Sequence, residues 1–331
     1  MKANTLVVGV GGGGGHIVER ILRYFAGEIA TSAATQPDYA RELLERASFL
    51  YVDTNRKSLS LIQDSLKRGN VTARREFLPI GGGITGGFGA GRNPEIGLKA
   101  FEESKGRIAE HIAAHDFIVL VGTLGKATAM GGLLPLAQLC RELEKLVIPV
   151  VALPSLREVS MSRFMAAKAV INNFYRAEIR ILKILNERAY TAFGKDLTRE
   201  EAFARLNDPI ARSIAPLISY AVSPGDIDIN DWRCQIAPGG GLLKIASVDI
   251  ADGTIEAAVG VCWETDFYDF VGQGTPSLHS KEDELSDLPP CQMGSALIVL
   301  QGSWTVGEIE RMSVALAKRA AETPGCEHFD P

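Results

Sequence analysis

Cysteine is scarce in this chain of 331 residues, and the cysteines present are not paired by spacing. The five lie far apart, at Cys140, Cys234, Cys262, Cys291 and Cys326. Their number is odd, and none has the short spacing to another that marks a zinc site or a disulfide framework. We therefore expect reduced thiols and assign no metal ligands.

Long apolar runs and blocks of one charge are also missing. No apolar stretch approaches the roughly 20 residues that a membrane span needs, and the first residues lead into a strand pattern rather than a signal peptide. The 35 Lys and Arg residues are interspersed with 40 Asp and Glu residues, for a net charge of −5. We expect no nucleic-acid partner, no membrane insertion and a cytoplasmic location.

The first half of the sequence alternates between strand and helix patterns. Strands are predicted at residues 5–10, 48–52, 117–122 and 147–152. Between them, Ile17, Val18, Ile21, Leu22 and Phe25 share one helical face, Asn93 and Pro94 can cap and open a helix, and another helix spans about 133–146. Buried strands joined by helices predict a parallel α/β sheet, which binds ligands at the carboxyl ends of its strands.

The second half differs in pattern. Residues 178–220 are predicted to be helical, followed by strands at 242–250, 255–263 and 296–301 and a helix at 306–321, with an exposed loop at 275–290. We predict a nucleotide-binding domain at 1–185, a long core helix with its connection at 186–225, and a smaller α+β domain at 226–331.

Five consecutive glycines follow the first strand. Each glycine has a conformational entropy cost in a regular element, so the run predicts a loop where a ligand lies against the backbone. A helix follows, which places amides where a phosphate would bind. The run also matches the dinucleotide pattern GxGxxG at Gly9, Gly11 and Gly14, but the first acid that ends a strand, Asp53, lies about twice as far away as that fold requires.

A second glycine cluster, "GFGAGRNPEIG" at 87–97, resembles the loop of the tubulin/FtsZ superfamily that faces the terminal phosphate. Several other segments resemble FtsZ motifs in the same order: "GVGGGGGH" resembles GVGGGGGN, "YVDTN" resembles AVNTD, "ILNERAY" resembles IPNDKLL, "EAFARLND" resembles DAFxAAND, and "DIDINDW" resembles the synergy loop NVDFADV. The resemblance covers about residues 4–250 and continues only loosely through "ALIVLQG".

Two departures from the family pattern stand out. Where the superfamily has GGGTGTG or GGGTGSG, this chain reads "GTLGKATAMGGLL". Leu124, Lys126, Ala127 and Ala129 add side chains where backbone amides should approach the β-phosphate, and Lys126 could supply charge in their place. The sequence also ends at Pro331 without an FtsZ-type tail, so no membrane tether through such a tail is expected.

The resemblance implies a Rossmann-like GTPase domain that binds GTP or GDP with Mg²⁺ and assembles head to tail with itself, with an unknown membrane adaptor as a further partner. It implies nucleotide contacts at Gly11, Gly12, Gly13, Gly14, Gly15, His16, Asp53, Gly89, Ala90, Gly91, Asn93, Gly125, Lys126, Thr128, Asn186 and Asn207. Asp228 and Asp231 would complete hydrolysis in the neighbouring subunit's site.

Simpler interpretations exist for several of these residues. A structural role alone would explain each of them. His16 would begin a helix and Asn93 would cap one, while Asp53 and Asn55 would end a strand. Asp228 and Asp231 would be solvated acids in a turn. Two other functions also stay open: a non-hydrolysing structural or regulatory relative with weak or no nucleotide binding, and a nicotinamide-dependent oxidoreductase.

Overall fold

Parallel strands and helices alternate through the first half of the computed structural model. The structure describes residues 4–26, 46–69, 73–187 and 306–322, with residues 44, 71 and 190 and scattered residues between 198 and 259.

Seven strands form one sheet in the order β3-β2-β1-β4-β5-β6-β7, and every neighbouring pair is parallel. They are β1 (Thr5–Val10), β2 (Ala47–Asp53), β3 (Arg74–Pro79), β4 (Phe117–Thr123), β5 (Leu146–Leu153), β6 (Ile181–Leu185) and β7 (Leu242–Leu243). The central strands are buried at nearly every residue because helices cover both faces. The predicted α/β fold with a parallel sheet is confirmed.

Seven helices have bounds that the structure gives. They are α1 (Gly11–Phe25), α2 (Arg56–Arg68), the short α3 (Gly82–Thr85), α4 (Pro94–Ala113), α5 (Ala127–Glu142), α6 (Met161–Arg176) and α7 (Val306–Glu322). The predicted apolar face of α1 is buried from Ile17 to Phe25. Asn93 caps α4 as predicted, since its side chain accepts a hydrogen bond from the amide of Glu95 at 2.9 Å.

The order of the strands reverses direction beside β1. The chain moves outward from β1 to β2 and β3, then returns to place β4 on the other side of β1. The two connections therefore diverge at the carboxyl ends of β1 and β4, where open α/β sheets bind ligands.

Several local predictions are wrong. Strand β3 was not predicted. It lies at the edge of the sheet and is largely exposed, so its charged sequence RREFLP lacks the apolar pattern of a buried strand. Residues 181–185, predicted to be helical, form β6, because a short apolar run fits a buried strand as well as a helix. Helix α5 begins at Ala127, about six residues before its predicted start.

The second half of the chain is described only in part. Glu201, Phe203, Asn207, Ile210, Ala211, Ile214 and Ile218 are helical, in agreement with the predicted core helix. Ile255 and Val259, predicted to lie in a strand, are helical and pack against Met312 and Leu316 of α7. The predicted strand at 296–301 and the loop at 275–290 lie outside the described residues.

The chain divides into two compact units. One contains Met1–Arg233 and Ala237–Leu243, and the other contains Cys234–Ile236 and Lys244–Pro331. The boundaries predicted at residues 185 and 225 stay predictions.

Candidate functional site

Three helices begin at one edge of the sheet. Helix α1 follows β1 directly, α5 begins four residues after β4, and α4 begins beside α5. A Cβ built on Gly97 of α4 would lie 2.3 Å from the carbonyl oxygen of Ala127, and one on Gly131 of α5 would lie 2.1 Å from that of Pro94. The glycines thus bring the first turns of α4 and α5 together at the carboxyl edge.

The first glycine run was predicted to be a loop, but it forms the start of α1. A Cβ on Gly14 would lie 2.1 Å from the carbonyl oxygen of Val121, and one on Gly15 would lie 2.6 Å from Ile62. Glycine is required at Gly14 because α1 packs tightly on the backbone of β4, so no ligand is needed to explain it; at Gly15 the neighbour is only the end of the Ile62 side chain. Gly12 is different: a Cβ there would meet nothing closer than 3.6 Å, so packing does not require glycine at this position.

Asp53 ends β2 beneath the first turn of α1, and its side chain is buried. Its carboxylate accepts hydrogen bonds from the amide of Asn55 at 3.2 Å and from Oγ1 of Thr128 at 3.1 Å. Thr54 Oγ1 lies 2.8 Å from Thr128 Oγ1. Burial raises the pKa of Asp53, although these hydrogen bonds oppose the shift. The loop before α5 is therefore joined to the end of β2 by an acid and two hydroxyls.

The second glycine segment is a loop fixed to the same edge. The amide of Gly89 donates to the carbonyl of Thr54 at 3.1 Å, and the amide of Arg56 donates to the carbonyl of Gly87 at 3.0 Å. Gly86, Gly87, Gly89 and Gly91 have positive φ values, which explains why glycine is present at these positions. Ala90 is buried, and Asn93 serves as the helix cap already described.

The altered loop before α5 does not obstruct this edge in the way its sequence predicts. The side chains of Leu124, Ala127 and Ala129 are all buried within the protein. Lys126 is exposed and occupies the N-cap position of α5, whereas Gly125 is half-buried beside Pro154. Of the four added side chains, only that of Lys126 is available to a ligand.

Asn186 follows β6 at the other end of the edge, and it is buried. Its Nδ2 donates to both carboxylate oxygens of Glu158, at 3.1 and 3.2 Å, while its Oδ1 is buried without a hydrogen-bond partner. A carboxylate can only accept, so Glu158 fixes which end of the amide faces it. The adjacent Glu187 bonds to the hydroxyl of Ser155 and to Nε of Arg157 at 3.0 Å.

The remaining predicted residues are less well placed or are not described. His16 is exposed on α1, with Nδ1 3.1 Å from Glu19, and Asn207 is helical and half-buried. Asp228 and Asp231 lie outside the described residues. Thr54 and Glu158 were missed by the sequence analysis. Thr54 directly follows β2, and Glu158 lies shortly after β5. A polar residue just after a parallel strand is the sequence signal that would have identified them.

Residues 4–193 match the family described as Tubulin/FtsZ family, GTPase domain. The chain belongs to the tubulin/FtsZ family. Among curated relatives, cell division protein FtsZ of Pseudomonas aeruginosa is 28% identical over 224 residues, covering 68% of this chain and 50% of that protein. FtsZ of Azotobacter vinelandii is 30% identical over the same shares of the two chains. The chain thus spans about half the length of these relatives.

Solved structures of the family share the fold. An empty FtsZ dimer from M. jannaschii has a TM-score of 0.64 at 23% identity, covering 81% of this chain and 70% of that one. A GTPγS-bound CetZ2 protofilament from Haloferax volcanii has a TM-score of 0.58 at 19% identity, covering 79% and 70%. The tubulin/FtsZ fold therefore accommodates the altered loop before α5.

The described residues contain neither a membrane-spanning helix nor a cluster of metal ligands. No described helix is both long and apolar enough to cross a bilayer. Within the same part of the chain, no group of three or more His, Cys, Asp or Glu side chains could hold a metal ion by itself.

Proposed function

We propose that this family member binds a guanine nucleotide along the carboxyl edge of the sheet, with the base near Asn186 and the phosphates near α1 and α5. The unpartnered Oδ1 of Asn186 carries the proposal, because a buried carbonyl oxygen without a donor costs roughly 1 to 3 kcal/mol. A purine with a hydrogen-bond donor on its edge would satisfy it.

The other end of the edge suits an anion. The first amides of a helix have no partner within the helix, and the helix dipole adds partial positive charge there. Gly11 of α1 faces the first turn of α5, since a Cβ there would lie 3.4 Å from Thr128. Lys126 adds a full positive charge at the start of α5. Together these groups support phosphate binding through backbone amides and one lysine.

The two ends are separated by a distance that a nucleotide can span. Strands β1 and β6 are three positions apart in the sheet, and neighbouring strands lie about 4.8 Å apart, which gives roughly 14 Å across the edge. We propose that the ribose lies between them, at the ends of β4 and β5.

The buried oxygens near the phosphate end suit Mg²⁺. Asp53 and Thr128 present a carboxylate and a hydroxyl, the hard oxygen donors that this ion prefers, and Mg²⁺ in nucleotide sites uses only one or two protein ligands beside the phosphates. Bound there, Mg²⁺ would neutralise phosphate charge, and the carboxylate of Asp53 would hold it.

We further propose that the protein forms head-to-tail filaments and that Asp228 and Asp231 of one subunit orient the attacking water in the next. Phosphoryl transfer depends mainly on positioning and on charge stabilisation, so two carboxylates supplied by a neighbour suffice for the water. A membrane adaptor and a cytoplasmic location stay predictions.

GTP turnover measured against protein concentration tests this function. Turnover per subunit should rise with concentration, because the site is complete only between subunits. Asp231→Ala should abolish turnover and leave the monomer's affinity for GDP unchanged. Filaments without turnover at any concentration would favour the non-hydrolysing structural alternative, and calorimetric binding of NAD without GDP would contradict the proposal.

A further inference from the structure

The turn between β5 and α6 is built around Ser155, which is fully buried. The carbonyl oxygen of Ser155 accepts hydrogen bonds from the amides of Glu158 at 2.9 Å and Val159 at 3.2 Å. Its Oγ accepts from the amide of Arg157 at 3.0 Å and donates to the carboxylate of Glu187, which lies just after β6. These bonds fix the backbone that carries Glu158 and join it to the end of β6.

The fixed turn places the carboxylate of Glu158 against the side-chain amide of Asn186. Both carboxylate oxygens accept from Nδ2 of Asn186, at 3.1 and 3.2 Å. The two ends of an asparagine amide have nearly the same shape, so packing alone does not choose between them, whereas a carboxylate can only accept. Glu158 therefore holds the nitrogen towards itself and turns Oδ1 of Asn186 the other way.

The oxygen end of this amide is the end without a partner. Asn186 is only 3% exposed, yet among the described residues nothing donates to its Oδ1. A buried acceptor left in this state indicates a donor that comes from outside the chain. Because Glu158 fixes the direction of the amide, that partner has to present a donor, and a partner that presents an acceptor is rejected.

Three purine bases differ in what they would present to Oδ1 of Asn186. Guanine has two adjacent donors on one edge, the N1 hydrogen and the 2-amino group. Adenine has an acceptor at N1 and only a carbon-bound hydrogen at position 2, and xanthine has a carbonyl oxygen in place of the 2-amino group. An amide with its oxygen forward therefore favours guanine, and one with its nitrogen forward would favour xanthine.

We propose that Glu158 is a positioning residue that sets the base preference of the site by holding the amide of Asn186 with its oxygen towards the base. The inference rests on the proposed function, in which the base lies near Asn186. A mismatched base would leave two buried acceptors facing each other without a donor, and sites built on such hydrogen bonds discriminate more strongly than apolar ones.

Glu158→Gln tests the inference, because glutamine keeps the shape of glutamate but either accepts from or donates to Asn186. Calorimetry with Mg²⁺, at protein concentrations below assembly, compares GDP, ADP and xanthosine diphosphate. In wild type, GDP should bind most tightly. In Glu158→Gln the amide is free to rotate, so affinity should fall about tenfold for GDP and rise about tenfold for xanthosine diphosphate. A variant that only damages the fold would weaken all three.

Two further variants serve as controls. Glu178→Gln makes the same chemical change at an exposed residue before the other end of β6, and it should bind all three nucleotides as wild type does. In an Asn186→Ala background, Glu158→Gln should no longer alter the ratio of the three affinities, because the amide through which it acts is gone.

Two results would overturn the inference and leave the proposed function standing. One is that Glu158→Gln keeps the wild-type preference for GDP. The other is that it loses all three nucleotides by the same factor, which would mean that Glu158 contacts the ribose or a phosphate instead. If wild type binds none of the three, or binds ADP as tightly as GDP, both the inference and the proposed guanine site are wrong.

Discussion

At the β1–β2–β4 end of the candidate site, the groups available to a ligand are mainly backbone amides, whereas at the β5–β6 end they are side chains. The first end depends on how closely α1 packs against β4, which Gly14 permits. The second depends on hydrogen bonds between Asn186 and Glu158 and around Glu187. A substitution should therefore affect the first end mainly through packing and the second mainly through a lost hydrogen bond.

The largest effect is expected from Gly14→Ala. The added methyl group would lie 2.1 Å from the carbonyl oxygen of Val121, and backbone cannot move aside as a flexible side chain can. We expect a loss of about 3 kcal/mol in the free energy of unfolding, measured by chemical denaturation, as for other overpacked sites.

Gly12→Ala is the control at the same end, because its methyl group would meet only Ser58 and Asp53 at 3.6 to 3.7 Å. The free energy of unfolding should stay the same or rise by up to about 1 kcal/mol, while nucleotide affinity falls because the methyl group fills the space that the phosphates need. Equal stability losses in the two variants would show that the packing argument is wrong.

A smaller effect is expected at the side-chain end. Asn186→Ala should lower affinity for GTP by about 1 to 3 kcal/mol and reduce discrimination against ATP, because the base loses a fixed acceptor. Calorimetry with both nucleotides measures this. Asn173→Ala, on the exposed face of α6, is the control and should bind GTP as wild type does. Unchanged discrimination in Asn186→Ala would place the base elsewhere.

Lys126→Ala should weaken nucleotide binding by less, about 0.5 to 1 kcal/mol, because Lys126 is exposed and its contact with phosphate is screened by water and salt. The loss should shrink when affinities are measured at high salt. Lys67→Ala is the control: it removes the same charge in the last turn of α2, at the end of that helix away from the candidate site, and should have little effect on nucleotide affinity. A loss in Lys126→Ala that is independent of salt would contradict an electrostatic role.

The smallest effect concerns stability against pH. Burial raises the pKa of Asp53 above its ordinary value of 3.8, so the folded protein binds the proton of this carboxyl group more tightly than the unfolded chain does. Its contribution to stability is therefore complete below pH 3.8 and is lost as pH rises through the folded-state pKa. Without Mg²⁺, Asp53→Asn should be slightly more stable than wild type at pH 7, and the difference should disappear towards pH 4. Denaturation midpoints across this range measure it; a gain that is constant with pH would assign it to another cause.

Local patterns in the sequence predicted much of the fold. The apolar face from Ile17 to Phe25 and the cap at Asn93 depend on neighbours three or four residues away, so the sequence alone contains the information. The order of strands and helices, with polar or glycine-rich turns after each strand, was enough to place the candidate site at one edge of a parallel sheet. The motifs that resemble FtsZ identified the family, which the match over residues 4–193 confirms.

Tertiary structure decided what several of those residues do. Gly14 is one of five consecutive glycines in the sequence, and only its distance to the backbone of Val121 shows that it serves packing. Leu124, Ala127 and Ala129 looked like obstacles to a phosphate, but the fold buries them. Residues 181–185 became a strand because β5 was available as a parallel partner. The same holds for three other features: the hydrogen bond between Asp53 and Thr128, the unpartnered oxygen of Asn186 and the left-handed backbone at Arg92. Each depends on the folded backbone or on residues distant in sequence, so no local sequence pattern determines it.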